Sequence, residues 1–244
     1  GWSLVMDTRD IFFQSEPFLN IGDPAVGFKT FAGDFADLLF IEEIAPHSSP
    51  DPDPKRSFVA GNFRNRAHTV PCYGESSYKT YSKRPVLCSG TVIGTRKGMT
   101  RFLSVLVSEF IKNNEKANTR CRSPTTTDQW TMNWLYYNGK FGFPRTTATL
   151  PWGTGPVQTV GKACITGKRK PGATDIVKLH NGSGLIMNIH DQQIAPVVHQ
   201  FDRCTPWIKD YFISHPKLFD HVGGRKKRLK RKNRTYPSEI ILKK

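Results

Sequence analysis

The chain has 244 residues, a hydrophobic fraction of 37% and a formal net charge of +16. This length and apolar content suit one globular domain with a substantial core, which excludes a largely disordered chain. No run of residues is long and apolar enough to cross a membrane and no signal peptide is visible, so the sequence predicts no membrane span.

Two apolar runs near the N-terminus, residues 4–6 and 11–13, flank the charged segment "DTRD". Neither run alternates with polar residues, so both predict strands buried on both faces, as in a parallel sheet. Ligands bind outside the carboxyl ends of strands in open α/β sheets. Asp7 and Asp10 are therefore candidate oxygen ligands of a divalent cation. The alternative is a structural ion pair with Arg9.

The next segments predict a strand at "ADLLFIEEI" and a Pro-rich surface loop at 46–56. "PVLCSGTVIGT" predicts a strand, a turn at Ser89 and Gly90, and a second short apolar piece. An ordinary strand exit explains this turn equally well. Residues 97–113 then predict an amphipathic helix. Its predicted apolar face comprises Met99, Phe102, Leu103, Leu106, Phe110 and Ile111.

"SPTTTDQWTMNWLYYNG" predicts a second helix that ends at Gly139. Asp128 and Gln129 fall in its first turn, where Asp128 is either a ligand-binding group or a partner of the helix dipole. "GPVQTVGKACI" predicts a strand, and "GLIMNIHDQQIAPVVHQFD" predicts a hairpin that turns near 190–193. His199 lies on its second strand, where a hydrogen-bonded core histidine is the alternative to a ligand. The element order predicts an α/β fold with a mixed sheet.

The positive charge is concentrated near the C-terminus, where residues 225–234 hold eight basic residues and leave about +8 on the rest. Residues 216–244 are predicted to form a basic, disordered tail. The five cysteines include no CxxC pair, which argues against a zinc site of the usual spacing, and their odd number leaves at least one thiol unpaired. Glycosylation sequons begin at Asn181 and Asn233, which is compatible with a secretory lumen.

The order of these features resembles that of the metal-dependent glycosyltransferases of the GT-A fold, which use nucleotide-sugar donors. "DTRD" is similar to the D-x-x-D form of their acidic motif, as in the glycosyltransferase domain of lysyl hydroxylases. "HQFDRCTPW" is similar to the H-x-x-G-x-x-K-P-W motif of glycogenin-like enzymes, with Asp202 and Thr205 in place of its Gly and Lys. "CSGT" is similar to the N-S-G turn beside the donor sugar, and "TDQWTMN" to the D-Q-x-x-x-N pattern.

The resemblance implies a GT-A-like mixed sheet flanked by helices, with residues 1–215 as the C-terminal portion of such a domain. It implies a site made of three groups: the metal ligands Asp7, Asp10 and His199 with Mn²⁺ or Mg²⁺; the donor-binding residues Asp7, Arg9, Ser89, Gly90, Arg203 and Trp207; and the catalytic residues Asp128 and Gln129. The implied acceptor is a glycan, a protein or a small molecule, and the implied compartment is the Golgi lumen.

The resemblance also implies missing upstream sequence, because nucleotide-binding strands precede the acidic motif in that family. We therefore expect the 244-residue chain alone to bind a nucleotide sugar weakly or not at all. Three other functions remain open. They are a degenerate sugar-binding relative without catalysis, a phosphoryl-transfer enzyme or hydrolase that uses Asp7 and Asp10, and a nucleic-acid-binding protein that acts only through the tail at 225–234.

Overall fold

The computed structural model describes residues 1–7, 10–29, 34–43, 63–82, 84–115, 128–142, 146–161, 178–180, 183 and 185–201. Several predicted features lie outside these residues: the loop at 46–56, Arg9, Arg203, Trp207 and the basic tail. The described helices and strands are, in chain order, β1 (Trp2–Met6), β2 (Ile11–Phe13), β3 (Phe28–Lys29), β4 (Phe35–Ala36), β5 (Leu38–Glu42), α1 (Phe63–Tyr81), β6 (Leu87–Thr95), α2 (Arg96–Glu115), α3 (Asp128–Tyr137), β7 (Thr147–Leu150), β8 (Val157–Thr159), β9 (Lys178–Leu179), β10 (Ile186–Met187) and β11 (Val197–His199).

The main sheet has four strands in the order β1-β6-β5-β7. β6 runs antiparallel to both of its neighbours, whereas β7 runs parallel to β5. A smaller sheet has the order β2-β11-β8, in which β11 is antiparallel to β2 and parallel to β8. The protein is therefore a mixed α/β fold with two mixed sheets, which confirms the predicted fold class at this level.

The central strand β5 is buried on both faces of the main sheet. Leu38 and Phe40 pack on one side, in a cluster with residues of α2 and α3 such as Phe102 and Leu135. Leu39 and Ile41 pack on the other side, in a cluster that contains residues of the smaller sheet. Since side chains alternate across a strand, the unbroken apolar run of β5 supplies both faces.

The N-terminal strands differ from the prediction. β1 is an edge strand paired antiparallel with β6, and β2 is an edge strand of the other sheet. No residue of β1 or β2 is fully buried, and both strands pair antiparallel, so the predicted doubly buried parallel strands are wrong. The apolar residues instead pack partly on opposite faces: Leu4 and Ile11 against the cluster between the two sheets, and Val5 and Phe12 against clusters on the other faces. The charged segment is consequently the connection from one sheet to the other.

The helix predicted at 97–113 is confirmed as α2, although Leu103 and Ile111 of its predicted apolar face are exposed. The second predicted helix is confirmed as α3, and its end has the predicted glycine. Gly139 has a φ of 71°, the Gly139 N–H donates to Tyr136 O at 2.9 Å, and the Lys140 N–H donates to Leu135 O at 2.9 Å. This pair of bonds satisfies carbonyls that the helix end would otherwise leave unpaired.

Helix α1 was not predicted from the sequence. It contains Pro71, and Gly74 has φ 83° and ψ 163°, so two helical segments meet there at a kink. α1 packs against α3 through aromatic rings, with Tyr73 stacked on Trp134 at a centroid distance of 3.8 Å. The strand predicted at 36–44 is confirmed as β5, and that predicted at 155–165 is confirmed only for the three residues of β8; residues 44 and 162–165 lie outside the described part.

The hairpin predicted near 190–193 is correct in its turn and wrong in its strands. The Asn188 N–H donates to Gln193 O at 2.8 Å, and the Ala195 N–H donates to Ile186 O at 3.0 Å, so the chain does fold back. However, β10 pairs with β9 and β11 joins the smaller sheet, so the two predicted hairpin strands belong to different sheets.

Candidate functional site

The backbone fixes Asp7 to the main sheet. Its N–H donates to Gly90 O at 3.1 Å, which extends the pairing between β1 and β6 by one residue. The side chain is 51% exposed. Asp7 therefore stands at the end of the edge strand with its carboxylate partly in solvent.

The backbone fixes Asp10 to the smaller sheet instead. Its carbonyl oxygen accepts the Gln200 N–H at 2.7 Å, next to the pairing of Ile11 with His199. Its side chain is only 7% exposed, and its Oδ1 is buried without a hydrogen-bond partner among the described residues. Burial of a carboxylate oxygen that accepts no hydrogen bond is costly, so an additional partner such as a cation would stabilise it.

His199 closes the cluster at the end of β11. Its Nε2 lies 3.3 Å from Asp7 Oδ2 and 3.6 Å from Asp10 Oδ1, and its side chain is 1% exposed. One ligand atom from each of the three residues lies within 4.8 Å of the others. The structure thus brings together three side chains that are up to 192 positions apart in the sequence.

Gly90 forms the wall of this cluster on β6. A Cβ atom placed on Gly90 would lie 2.7 Å from Asp7 Cγ and 2.9 Å from His199 Nε2. Real Cβ atoms essentially never approach other atoms this closely. Only glycine leaves room here for the carboxylate and the imidazole together.

The strand around Gly90 is irregular, but it is not the predicted turn. β6 continues from Leu87 to Thr95, and its pairing with β5 shifts register so that Val92 faces Phe40 while Leu87 faces Glu42. Residues 88–91 of β6 stand against a single residue of β5 and form a wide irregularity in the pairing, called the bulge below; such irregularities often re-aim side chains beside functional sites. The Ser-Gly signal in the sequence therefore marks a bulge within one continuous strand.

Consecutive residues of this bulge contact different groups. Cys88 Sγ lies 3.3 Å from His199 Nδ1, whereas the Ser89 hydroxyl donates to Asp128 Oδ2 at 3.3 Å. Asp128 also accepts the Gln129 N–H through Oδ1 at 2.7 Å. Asp128 therefore fits both interpretations: it stabilises the first turn of α3, and its carboxylate also faces the bulge, where it could bind a ligand.

Gln129 and Asn133 attach α3 to the start of β6. The side-chain amide of Gln129 donates to Leu87 O at 3.3 Å. The amide of Asn133 both donates to Leu87 O and accepts the Leu87 N–H, each at 2.8 Å. These bonds hold Asp128, at the helix N-terminus, beside the bulge.

Thr159 and Cys88 surround the remaining nitrogen of the histidine ring. Thr159 Oγ1 lies 3.4 Å from His199 Nδ1, and Thr159 pairs with His199 across β8 and β11. Burial raises the pKa of the Cys88 thiol, and the Glu43 carboxylate raises it further, so the thiol stays neutral. Sequence analysis missed both contacts, because they depend on which strands become neighbours.

An open groove of about 650 Å³ runs along β1. Its lining comprises Trp2, Ser3, Leu4, Met6, Phe13, Ser15, Glu16, Pro17 and Phe18. Met6, the residue that precedes Asp7 in the sequence, lines this groove, but Asp7, Asp10 and His199 do not.

The predictions on cysteines, membrane spans and the remaining donor-binding residues have the following outcomes. Cys72 is disulfide-bonded and Cys88 is a free, buried thiol. Among the described residues, no helix is long and apolar enough to cross a membrane. The predicted donor-binding residues Arg9, Arg203 and Trp207 lie outside the described part, so their roles stay predictions.

The chain matches no protein-family model, no curated protein and no solved structure.

Proposed function

We propose that the protein is a glycosyltransferase of the GT-A type, which transfers a sugar from a nucleotide-sugar donor with the help of a divalent cation. The observation that carries this proposal is the cluster of Asp7, Asp10 and His199. In particular, Asp10 Oδ1 is buried and accepts no hydrogen bond from the described residues, and a bound cation would coordinate this oxygen and balance its charge.

The chemistry of the three side chains fits Mn²⁺ or Mg²⁺. Carboxylate oxygens suit these hard cations, and an imidazole nitrogen favours Mn²⁺ over Mg²⁺. Asp10 and His199 form the buried side of the cluster, whereas Asp7 is partly exposed, so coordination positions remain accessible from solvent. When bound, the cation would stabilise the negative charge that a departing diphosphate develops.

The residues around the bulge supply groups that suit sugar hydroxyls. Asp128 is exposed and contacts Ser89, and two residues of the same bulge touch the carboxylate–histidine cluster. A carboxylate and a hydroxyl can fix the orientation of a polyhydroxylated ligand by hydrogen bonds. We assign donor-sugar binding to Asp128 and Ser89, and we assign to Gln129 the positioning of Asp128 through its bond to Leu87.

The cysteines support an oxidising compartment. Cys72 is disulfide-bonded, and disulfides persist mainly in secreted proteins and in the secretory lumen. The sequons at Asn181 and Asn233 are compatible with the same location. Together these features support a protein of the secretory pathway, such as the Golgi lumen.

The test is incubation of the full chain with Mn²⁺ and a panel of nucleotide sugars, with glycan, protein and small-molecule acceptors. We expect a glycosylated product that disappears when the cation is chelated and when Asp10 is replaced by Asn. Release of nucleotide without any glycosylated product would favour a hydrolase at the same cluster. Failure of the chain to bind Mn²⁺ would leave Asp7, Asp10 and His199 as a structural ion-pair cluster.

A further inference from the structure

The two nitrogens of the His199 ring face different chemical surroundings. Nε2 faces the carboxylates of Asp7 and Asp10, whereas Nδ1 faces Thr159 Oγ1 at 3.4 Å and Cys88 Sγ at 3.3 Å. His199 and Thr159 are 0% and 1% exposed, and Cys88 is 1% exposed, so water is not available to satisfy Nδ1.

A histidine that binds a cation through Nε2 must carry its proton on Nδ1. A buried N–H group requires an acceptor, because a buried donor without a hydrogen bond costs free energy, and this cost would weaken cation binding. A hydroxyl and a thiol can each accept this hydrogen bond, and each can also donate when the ring adopts its other tautomer. Both types of partner are present at Nδ1.

We propose that Thr159 and Cys88 are positioning residues that accept a hydrogen bond from the Nδ1–H of His199 when its Nε2 binds a divalent cation held with Asp7 and Asp10, and that they orient the ring for this bond. The inference rests on the metal site of the proposed function. It adds that two side chains with no access to the cation determine how tightly the cation is bound.

The two residues that contact Nδ1 of His199 come from different sheets. Thr159 comes from β8, which runs parallel to β11 with Thr159 directly opposite His199. Cys88 comes from the bulge of β6 in the main sheet. The ring is therefore held between the two sheets, and its orientation depends on their packing as well as on β11 itself.

The closing experiment measures Mn²⁺ affinity and the His199 tautomer on the full chain. Thr159→Val removes the hydroxyl at nearly constant volume, Thr159→Ser restores it, and Cys88→Ala removes the thiol. The double variant Cys88→Ala/Thr159→Val removes both partners. Thr147→Val is the matched control, because Thr147 is also a buried strand threonine but lies on β7, away from the cluster.

We expect Thr159→Val to weaken Mn²⁺ binding measurably, and the double variant to weaken it about 10- to 100-fold, the usual effect of removing such outer partners of a metal ligand. Thr159→Ser and Thr147→Val should bind like the wild type. In the Mg²⁺-loaded wild-type protein, ¹⁵N NMR should show a proton on Nδ1 of His199. A merely structural role would change the melting temperature without changing the tautomer.

Wild-type Mn²⁺ affinity in folded variants that lack both partners would overturn the inference while leaving the proposed function intact. A proton on Nε2 of His199 in the Mg²⁺-loaded wild type would overturn the inference and would also remove His199 from the proposed ligands. If wild-type protein does not bind Mn²⁺, the metal site of the proposed function fails and the inference fails with it. Circular dichroism and melting curves establish whether each variant is folded.

Discussion

Gly90 approaches Asp7 so closely that a Cβ at position 90 would lie 2.7 Å from the carboxylate carbon. Gly90→Ala should therefore push the Asp7 side chain toward solvent, which it can reach because it is half exposed. We expect the variant to fold and to lose Mn²⁺ affinity by at least about tenfold. Calorimetric titration with Mn²⁺ measures this effect.

Ser89→Ala serves as the control for that variant, because it changes the neighbouring residue on the same strand without adding bulk. It should keep the wild-type Mn²⁺ affinity while losing the contact with Asp128. Equal affinities for wild type and Gly90→Ala would show that Asp7 does not hold the cation in the conformation described.

Asp10 provides a test of stability as well as of binding. Asn is nearly isosteric, and a neutral amide is less costly to bury than the unpartnered carboxylate oxygen. Without metal, Asp10→Asn should melt at the same or a higher temperature than the wild type. With Mn²⁺ at a hundred times its dissociation constant, the wild type should gain about 2.7 kcal/mol and the variant almost nothing.

The exposed Asp34 gives the matched control for the loss of one carboxylate. Asp34→Asn should gain as much stability from Mn²⁺ as the wild type does. Differential scanning calorimetry with and without Mn²⁺ provides all of these values. An Mn²⁺-dependent gain that survives in Asp10→Asn would remove Asp10 from the proposed ligands.

Asp128 separates sugar binding from helix stabilisation. Asp128→Asn retains an oxygen acceptor for the Gln129 N–H, so the free energy of unfolding should change by less than about 1 kcal/mol. Transfer of sugar should nevertheless be lost, because the amide does not reproduce the charged partner of Ser89. Product formation and thermal unfolding are measured on the same samples. A large loss of stability with full activity would assign Asp128 to the helix alone.

The raised pKa of Glu42 should make the stability of the protein depend on pH. Burial raises its pKa from 4.5 to about 7, and a hydrogen bond with Thr149 lowers it by a smaller amount. The folded state therefore binds the proton more tightly than the unfolded state does, and this contribution to stability is lost as the pH rises from about 4.5 to about 7. At about 1.4 kcal/mol per pKa unit, the loss is on the order of 3 kcal/mol.

Glu42→Gln should remove this dependence and should be more stable than the wild type above neutral pH. Glu115→Gln, at the exposed end of α2, controls for the loss of one negative charge. Urea unfolding at pH 5, 6, 7 and 8, chosen to bracket the pKa of about 7, measures both variants. A wild type whose stability is constant over this range would contradict the burial of an ionisable Glu42.

The sequence predicted correctly those features that depend on local patterns of residues. Helices α2 and α3 follow from their apolar periodicity, and Gly139 follows from the left-handed conformation that ends α3. Asp7 and Asp10 were predicted from their ligand chemistry and His199 from the resemblance to the H-x-x-G-x-x-K-P-W motif, and the structure brings these side chains together. Their binding of a cation stays a prediction.

The sequence led to wrong predictions where the burial or pairing of a strand depends on residues that are distant in the sequence. The apolar run of β1 has the composition of a doubly buried strand, yet β1 is an edge strand whose residues are only partly buried, with Leu4 packed between the two sheets and Val5 on the opposite face. Ser89 and Gly90 gave the signal of a turn, but both lie within strand β6, and the Gly90 carbonyl oxygen accepts the Asp7 N–H. Helix α1 contains Pro71 and Gly74, which disfavour a helix locally, and aromatic packing on α3 offsets that preference.

The connection between the two sheets has a consequence for local unfolding. The backbone of Asp7 belongs to the main sheet and that of Asp10 to the smaller one. A cation held by both carboxylates would join the two sheets, so that neither could open without releasing it. Amide hydrogen exchange should then slow together in β1 and β11 on addition of Mn²⁺, and the two sheets should open as one cooperative unit rather than separately.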